Sequence, residues 1–165
     1  MSKSLRRVVT GHKNGKSMVL IEDKLEPLPG FAANAATIWQ NHRYPAELAD
    51  HDAAAAGGTQ IYTKGSLIRV VDFPANSTGH NHRTKSLDYG IVMDGEIELV
   101  LEDGSKTIVR AGDVVVQQAT MHQWNNHTDR PCRMLFALLL SEAAAGPNGE
   151  ELGDFGVPKV FQADQ

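Results

Sequence analysis

The sequence predicts an all-β fold, a sandwich or barrel of short strands, and three observations lead there. Segments rich in β-branched residues dominate the 165-residue chain. Turn signals separate these segments at short intervals, and helical periodicity is scarce. Two Asp-Gly pairs, Asp94-Gly95 and Asp103-Gly104, lie between strand-like runs, where they signal antiparallel connections.

Taken in order, Arg6 to Thr10 and Ser17 to Glu22 are β-rich and flank Gly11-His12-Lys13-Asn14-Gly15, a hairpin signature. Ala36 to Gln40 is a third strand. Tyr44 to Gly58 holds Pro45 and the run Ala53-Ala54-Ala55-Ala56-Gly57-Gly58, whose alanines support a short helix that the glycines cap or loosen. Residues 41–60 are therefore expected to form a flap. Ser66 to Phe73 alternates, with Leu67, Arg69, Val71 and Phe73 on one face and Ile68, Val70 and Asp72 on the other. Ser86 to Met93, Glu96 to Leu101 and Lys106 to Arg110 follow one another through the two Asp-Gly turns and read as a β-meander. Val114 to Gln117, Gln123 to Asn125 and Arg133 to Leu140 supply the remaining strands. Ser141 to Gly156, rich in Gly, Ala and Glu, is expected to cross the surface before Val157 to Phe161 docks as a last extended piece. Neither irregular region reads as a linker, and there is no internal repeat. One domain over 1–165 is the expectation, with a barrel core at about 66–140 and an N-terminal β arm over 1–40.

Charge and cysteine content narrow the function. A formal charge of −4 and a pI near 5.9 leave no basic footprint for nucleic acid. The single cysteine, Cys132, has no internal disulfide partner and lies in the apolar run Pro131 to Leu140, where it reads as a small core residue. No long apolar span is present, and Met1 to Arg7 lacks the hydrophobic region of a signal peptide. A cytoplasmic protein with no membrane partner is expected.

The chemistry centres on Gly79-His80-Asn81-His82. Side chains on an extended segment repeat every second residue, so His80 and His82 project to one face and can grip one ion. His122 and the carboxylate of Asp88, arriving from neighbouring strands, would complete a shell of neutral nitrogens and one anionic oxygen. Such a shell suits a divalent first-row metal.

These residues resemble the two motifs of the cupin superfamily, and the chain is most similar to its small single-domain, conserved-barrel members. His80, His82, Asp88 and Gly95 stand at the places of the first motif, and Gly112, His122 and Asn126 at those of the second. The resemblance covers Asp72 to Leu140. Three departures stand out. Asp88 replaces a glutamate and is separated from His82 by five residues, where the family has three or four. Gln117-Gln118-Ala119-Thr120-Met121 replaces the Pro-x-Gly turn before His122 and is one residue shorter. No glycine stands six residues before His80.

The resemblance implies a double-stranded β-helix, or jelly-roll, barrel with a metal inside on His80, His82, Asp88 and His122, the ion being Fe, Mn, Ni or Zn. It also implies pairing of two copies, with the N-terminal arm as a swapped or added strand, so a homodimer is expected. Open coordination positions would admit a small-molecule substrate, and polarisation of its carbonyl favours an enolate-like intermediate. A lyase (decarboxylase or dehydratase) or an isomerase acting on a small organic acid or ketone follows. An Fe(II)-dependent dioxygenase and a non-catalytic ligand- or metal-binding barrel are the alternatives.

Pocket candidates are Arg69, Tyr89, Gln117 and Trp124. Arg69 is a carboxylate clamp if its strand face points inward, although solvation is the usual state of an arginine. Trp124 shares a face with His122 and reads equally as core. Asn126 reads as a turn holder, and Asp88 alternatively as a residue bonding its own backbone. No residue stands out as acid or base; Gln117, Tyr89, His42 and His51 are the weak candidates.

Overall fold

A computed structural model describes residues 3–30, 33–49, 51–54 and 64–157. These residues form strands and turns and no helix, and no helix among them is long and apolar enough to cross a membrane. The strands are β1 (Leu5–Lys13), β2 (Lys16–Leu25), β3 (Leu28–Pro29), β4 (Asn34–Asn41), β5 (Ser66–Phe73), β6 (Ser77–Thr78) and β7 (Ser86–Asp94). They continue with β8 (Glu96–Leu101), β9 (Lys106–Arg110), β10 (Val114–Gln118), β11 (His122–Asn126), β12 (Cys132–Leu140), β13 (Ala144–Ala145) and β14 (Glu151–Leu152).

Two sheets carry the fold. A six-stranded sheet runs in the order β10-β7-β12-β5-β4-β3, and a four-stranded sheet in the order β6-β11-β8-β9. Alternation decides what lies between them. Leu67, Val71 and Phe73 of β5, Val92 of β7, and Cys132, Met134, Phe136 and Leu138 of β12 point from the large sheet towards Ile97 and Leu99 of β8, Val109 of β9 and Trp124 of β11. Met134 and Cys132 are fully buried. Each large side chain removed from water here contributes about 1.5–3 kcal/mol to holding the sheets face to face. Cys132 therefore sits in the core as read from its apolar run, and burial pushes its thiol up to about 11.

The expected β-meander is not formed. β8 pairs with β9, but β7 pairs with β10 and β12 in the other sheet, so Asp94-Gly95 is a corner between sheets. Gly95 makes the corner possible: its φ is +88°, and a Cβ there would stand 3.1 Å from the Pro131 carbonyl and the Cys132 backbone. β7 also slips register against β12 at Arg133. A turn signal reports a reversal of the chain and not which sheet receives it.

The β1–β2 hairpin is longer than predicted and stands as its own two-stranded sheet. Arg7 fastens it. The buried guanidinium donates to Asp23 of β2, to Asp52 at 2.8 Å and to the Ile38 carbonyl of β4 at 3.1 Å. Within the expected flap the described residues, 42–49 and 51–54, form bends and turns, while residues 50 and 55–60 lie outside the described set. Of the last extended piece only Val157 is described, and it is buried.

Candidate functional site

Between β6 and β7 the chain carries Gly79 to Lys85 across one end of the barrel. A backbone bridge fixes it: the amides of His82 and His122 each donate to the other's carbonyl at 3.0 Å. Side by side on this bridge, the two imidazoles have centroids 4.3 Å apart. His82 Nδ1 meets the His80 carbonyl at 3.0 Å and His122 Nδ1 meets the Thr120 carbonyl at 2.9 Å. A carbonyl only accepts, so both rings carry their proton on Nδ1 and present a lone pair on Nε2. Burial holds the His82 pKa below its ordinary value, and it takes His122 down to about 3, with the neighbouring His82 adding to the effect. Neutral rings oriented through Nδ1 are the state in which histidine ligates metals.

His80 is placed differently. Its ring stacks on His82 with centroids 5.9 Å apart, and Nε2 donates to the carbonyl of Gly156. Among the described residues no three His, Cys, Asp or Glu side chains stand close enough to hold one ion. Of the four residues the motifs offered, the structure brings His82 and His122 together, engages His80 with Gly156, and sets Asp88 among other partners.

Asp88 lies mid-strand in β7, opposite Gln117 of β10, and both face the interior at 5% exposure. Gln117 Nε2 donates to Asp88 Oδ2 at 3.0 Å; Asp88 Oδ1 and Gln117 Oε1 are buried without a hydrogen-bond partner. Burial raises the Asp88 carboxyl to about 6 against the opposing pull of Ser86, Arg69 and Gln117. Arg69 comes from β5 on the face of Leu67, Val71 and Phe73, cross-strand from Phe136. Arg69 is partly buried, with its Nε out of water, and its charge acts on Asp88, His82 and His122 alike. Burial lowers its own pKa, offset in part by Asp88.

The remaining pocket candidates divide. Trp124 is a core residue, edge-on to His122 at 6.5 Å and to Phe136 at 5.9 Å. Tyr89 does not line the interior: with Asp88 and Gly90 buried, alternation turns it outward, and it is 39% exposed. His42 and His51 are exposed at the surface. Asn126 holds a turn, its Nδ2 donating to the carbonyls of Phe73, Pro74 and Arg130 while Oδ1 accepts from the Thr128 amide and hydroxyl. The missing glycine of the second motif has a counterpart in Ala119, which takes the left-handed φ of +49° that the turn before His122 requires. Two features gave no sequence signal: the Gly156 contact to His80, and the buried Thr84–Ser86 hydroxyl pair at 2.8 Å that leads into Asp88.

The donors suit a divalent first-row ion at the imidazole pair. Two neutral nitrogens point their lone pairs from a rigid bridge, and the barrel interior also holds an orphaned carboxylate oxygen.

A jelly-roll barrel with a histidine pair at one end defines the class of protein. The comparisons agree with it. The cupin domain family matches residues 69–138. The chain is 39% identical over 144 residues, 81% of its own length and 71% of the relative's, to the cupin-domain-containing oxidoreductase fogC of Aspergillus ruber. It is 49% identical over 78 residues, 46% of its length and 40% of the relative's, to the cupin-domain-containing oxidoreductase virC of Hypocrea virens. The plu4264 protein from Photorhabdus luminescens, at 10% identity, shares the fold with a TM-score of 0.51 over 69% of this chain and 80% of that one. The chain belongs to the cupin family.

Proposed function

We propose that this cupin is a metal-dependent enzyme that converts a small organic acid or ketone through an enolate-like intermediate, as a lyase or isomerase. The observation that carries the reading is the buried Asp88 carboxylate, bonded by Gln117 on Oδ2 and open on Oδ1, in the same interior as Arg69 and the paired imidazoles of His82 and His122. An ion on His82 and His122, whether Fe, Mn, Ni or Zn, would supply Lewis acidity toward the substrate's carbonyl oxygen.

The chain's own residues supply the rest. Arg69 offers a planar fork of donors to the substrate's carboxylate. Asp88 takes the proton from the carbon beside the carbonyl on Oδ1, the oxygen that Gln117 leaves open, and returns it on the same face. A carboxyl near pH 6 is matched to that exchange at neutral pH. In this reading Asp88, the fourth motif ligand, carries a proton and does not hold the ion. Trp124 and Phe136 close the interior to water behind it.

The test is solvent deuterium exchange. The metal-loaded protein should incorporate deuterium beside the carbonyl of at least one acid in a panel of keto and hydroxy acids, followed by NMR in D2O. Asp88→Asn and chelated protein should not. Absence of exchange with every acid would leave a binding barrel. A second reading, an Fe(II)-dependent dioxygenase on the same small substrate, is favoured by the oxidoreductase names of the relatives fogC and virC. Oxygen uptake in step with turnover would select it, and full activity under nitrogen would exclude it.

A further inference from the structure

The segment after β14 leaves the surface hairpin β13–β14 and lies directly over the His80–Arg83 stretch. Three contacts seat it. Arg83 and Phe155 exchange backbone hydrogen bonds at 2.9 and 3.1 Å, and the Lys85 amide donates to Asp154 Oδ1 at 2.9 Å. The Gly156 carbonyl accepts from His80 Nε2. Only glycine fits at this last position: φ is +71°, and a Cβ would stand 2.5 Å from the Asn81 carbonyl and 3.3 Å from His80 Nε2. Val157 is buried immediately beyond it.

This contact uses a different nitrogen from the other two histidines. His82 and His122 donate from Nδ1 and leave Nε2 for an ion, whereas His80 spends Nε2 on the strap. One imidazole nitrogen cannot hold a proton for a carbonyl and a lone pair for a metal at the same time. We propose that His80 has two alternative partners, the Gly156 carbonyl and the ion, so that residues 154–157 are a latch which metal loading opens. The inference rests on the reading that His82 and His122 hold an ion.

Competition has a signed consequence. Whatever stabilises the closed latch subtracts from metal affinity, because the binding-competent fraction is reduced. Loosening the latch away from the histidines therefore tightens metal binding, and removing His80 weakens it. By linkage, the ion must loosen the latch by the same factor that the latch weakens the ion.

The experiment uses the full chain, stripped with chelator and titrated with Ni2+ by calorimetry, with hydrogen exchange at the Phe155 amide read in parallel. Wild type should bind Ni2+ and lose protection at Phe155 on loading. His80→Ala should bind about tenfold more weakly and show no change at Phe155 on loading. Asp154→Ala, which touches no histidine, should bind about fivefold more tightly. Nickel bound through His80 with Phe155 protection unchanged would overturn the latch while leaving the metal site standing, as would Asp154→Ala binding no more tightly than wild type. No nickel bound by any of the three proteins would remove the metal reading, and the latch with it.

Discussion

Asp88 makes a prediction about pH that needs no substrate. Its folded pKa is about 6 against an ordinary 3.8, because burial disfavours the anion more than Ser86, Arg69 and Gln117 favour it. The folded protein thus binds this proton more tightly than the unfolded chain, so the contribution to stability is full below the unfolded pKa and is lost as pH rises through 6. Between pH 4.5 and 7.5 the two pKa values, about 6 and 3.8, imply about 2 kcal/mol of lost stability from this one carboxyl. Asp88→Asn keeps the shape and removes the titration. Other titrating groups, His82 and His122 included, are common to both proteins and cancel in the difference.

The assay is urea denaturation of chelated wild type and Asp88→Asn at four pH values across that interval. The stability difference should move by about 2 kcal/mol in favour of the variant as pH rises, with the steepest change near pH 5, midway between the two pKa values. Parallel profiles would refute the reasoning. They would mean that Arg69 compensates the buried anion fully, and Asp88 would then lie too low to exchange protons near neutrality.

Other consequences are smaller in scope. Asn126→Ala strands three carbonyls and the Thr128 donors at a fully buried site and should cost about 3 kcal/mol by urea denaturation. Arg7→Ala should release the β1–β2 hairpin to limited proteolysis at a cost of about 2 kcal/mol; its partners Asp23 and Asp52 are 36% and 34% exposed and regain water, which keeps the loss below that of a sealed ion pair. Because Trp124 stands 6.5 Å from His122, Cu2+ should quench part of the tryptophan emission, and His122→Ala should abolish that saturable component.

What could be read in advance was what depends on local periodicity. Alternation along Ser66 to Phe73 set the face of Arg69, and the Asp-Gly pairs marked real reversals. Composition, however, made solvent the default for an arginine, and only the packing of β5 against β12 shows that Leu67, Val71 and Phe73 draw this face inward and leave Arg69 partly buried. Tyr89 went wrong for the opposite reason, since a strand phase off by one residue exchanges inside for outside. The corner at Gly95 and the hold of Gly156 on His80 depend on which distant segments meet. The second spans 76 residues and leaves no trace in either local sequence.

Burial is the main reason the imidazoles of His82 and His122 stay neutral, and the charge of Arg69 adds to it. A cation within reach of His82 and His122 opposes their charging and opposes an incoming metal ion for the same electrostatic reason. Against the proton the opposition is helpful, because it leaves both lone pairs available across the physiological range. Against the metal it is a cost, which an anionic substrate would offset under the proposed function: a carboxylate on Arg69 would cancel the repelling charge and leave the carbonyl beside it available to the ion. Asp88 contributes to the same balance, since its ionisation shields Arg69 and its protonation restores the field. Under the proposed function such an interior would bind ion and acid better together than apart, the behaviour expected of a site that turns over small acids and not of one that merely stores metal.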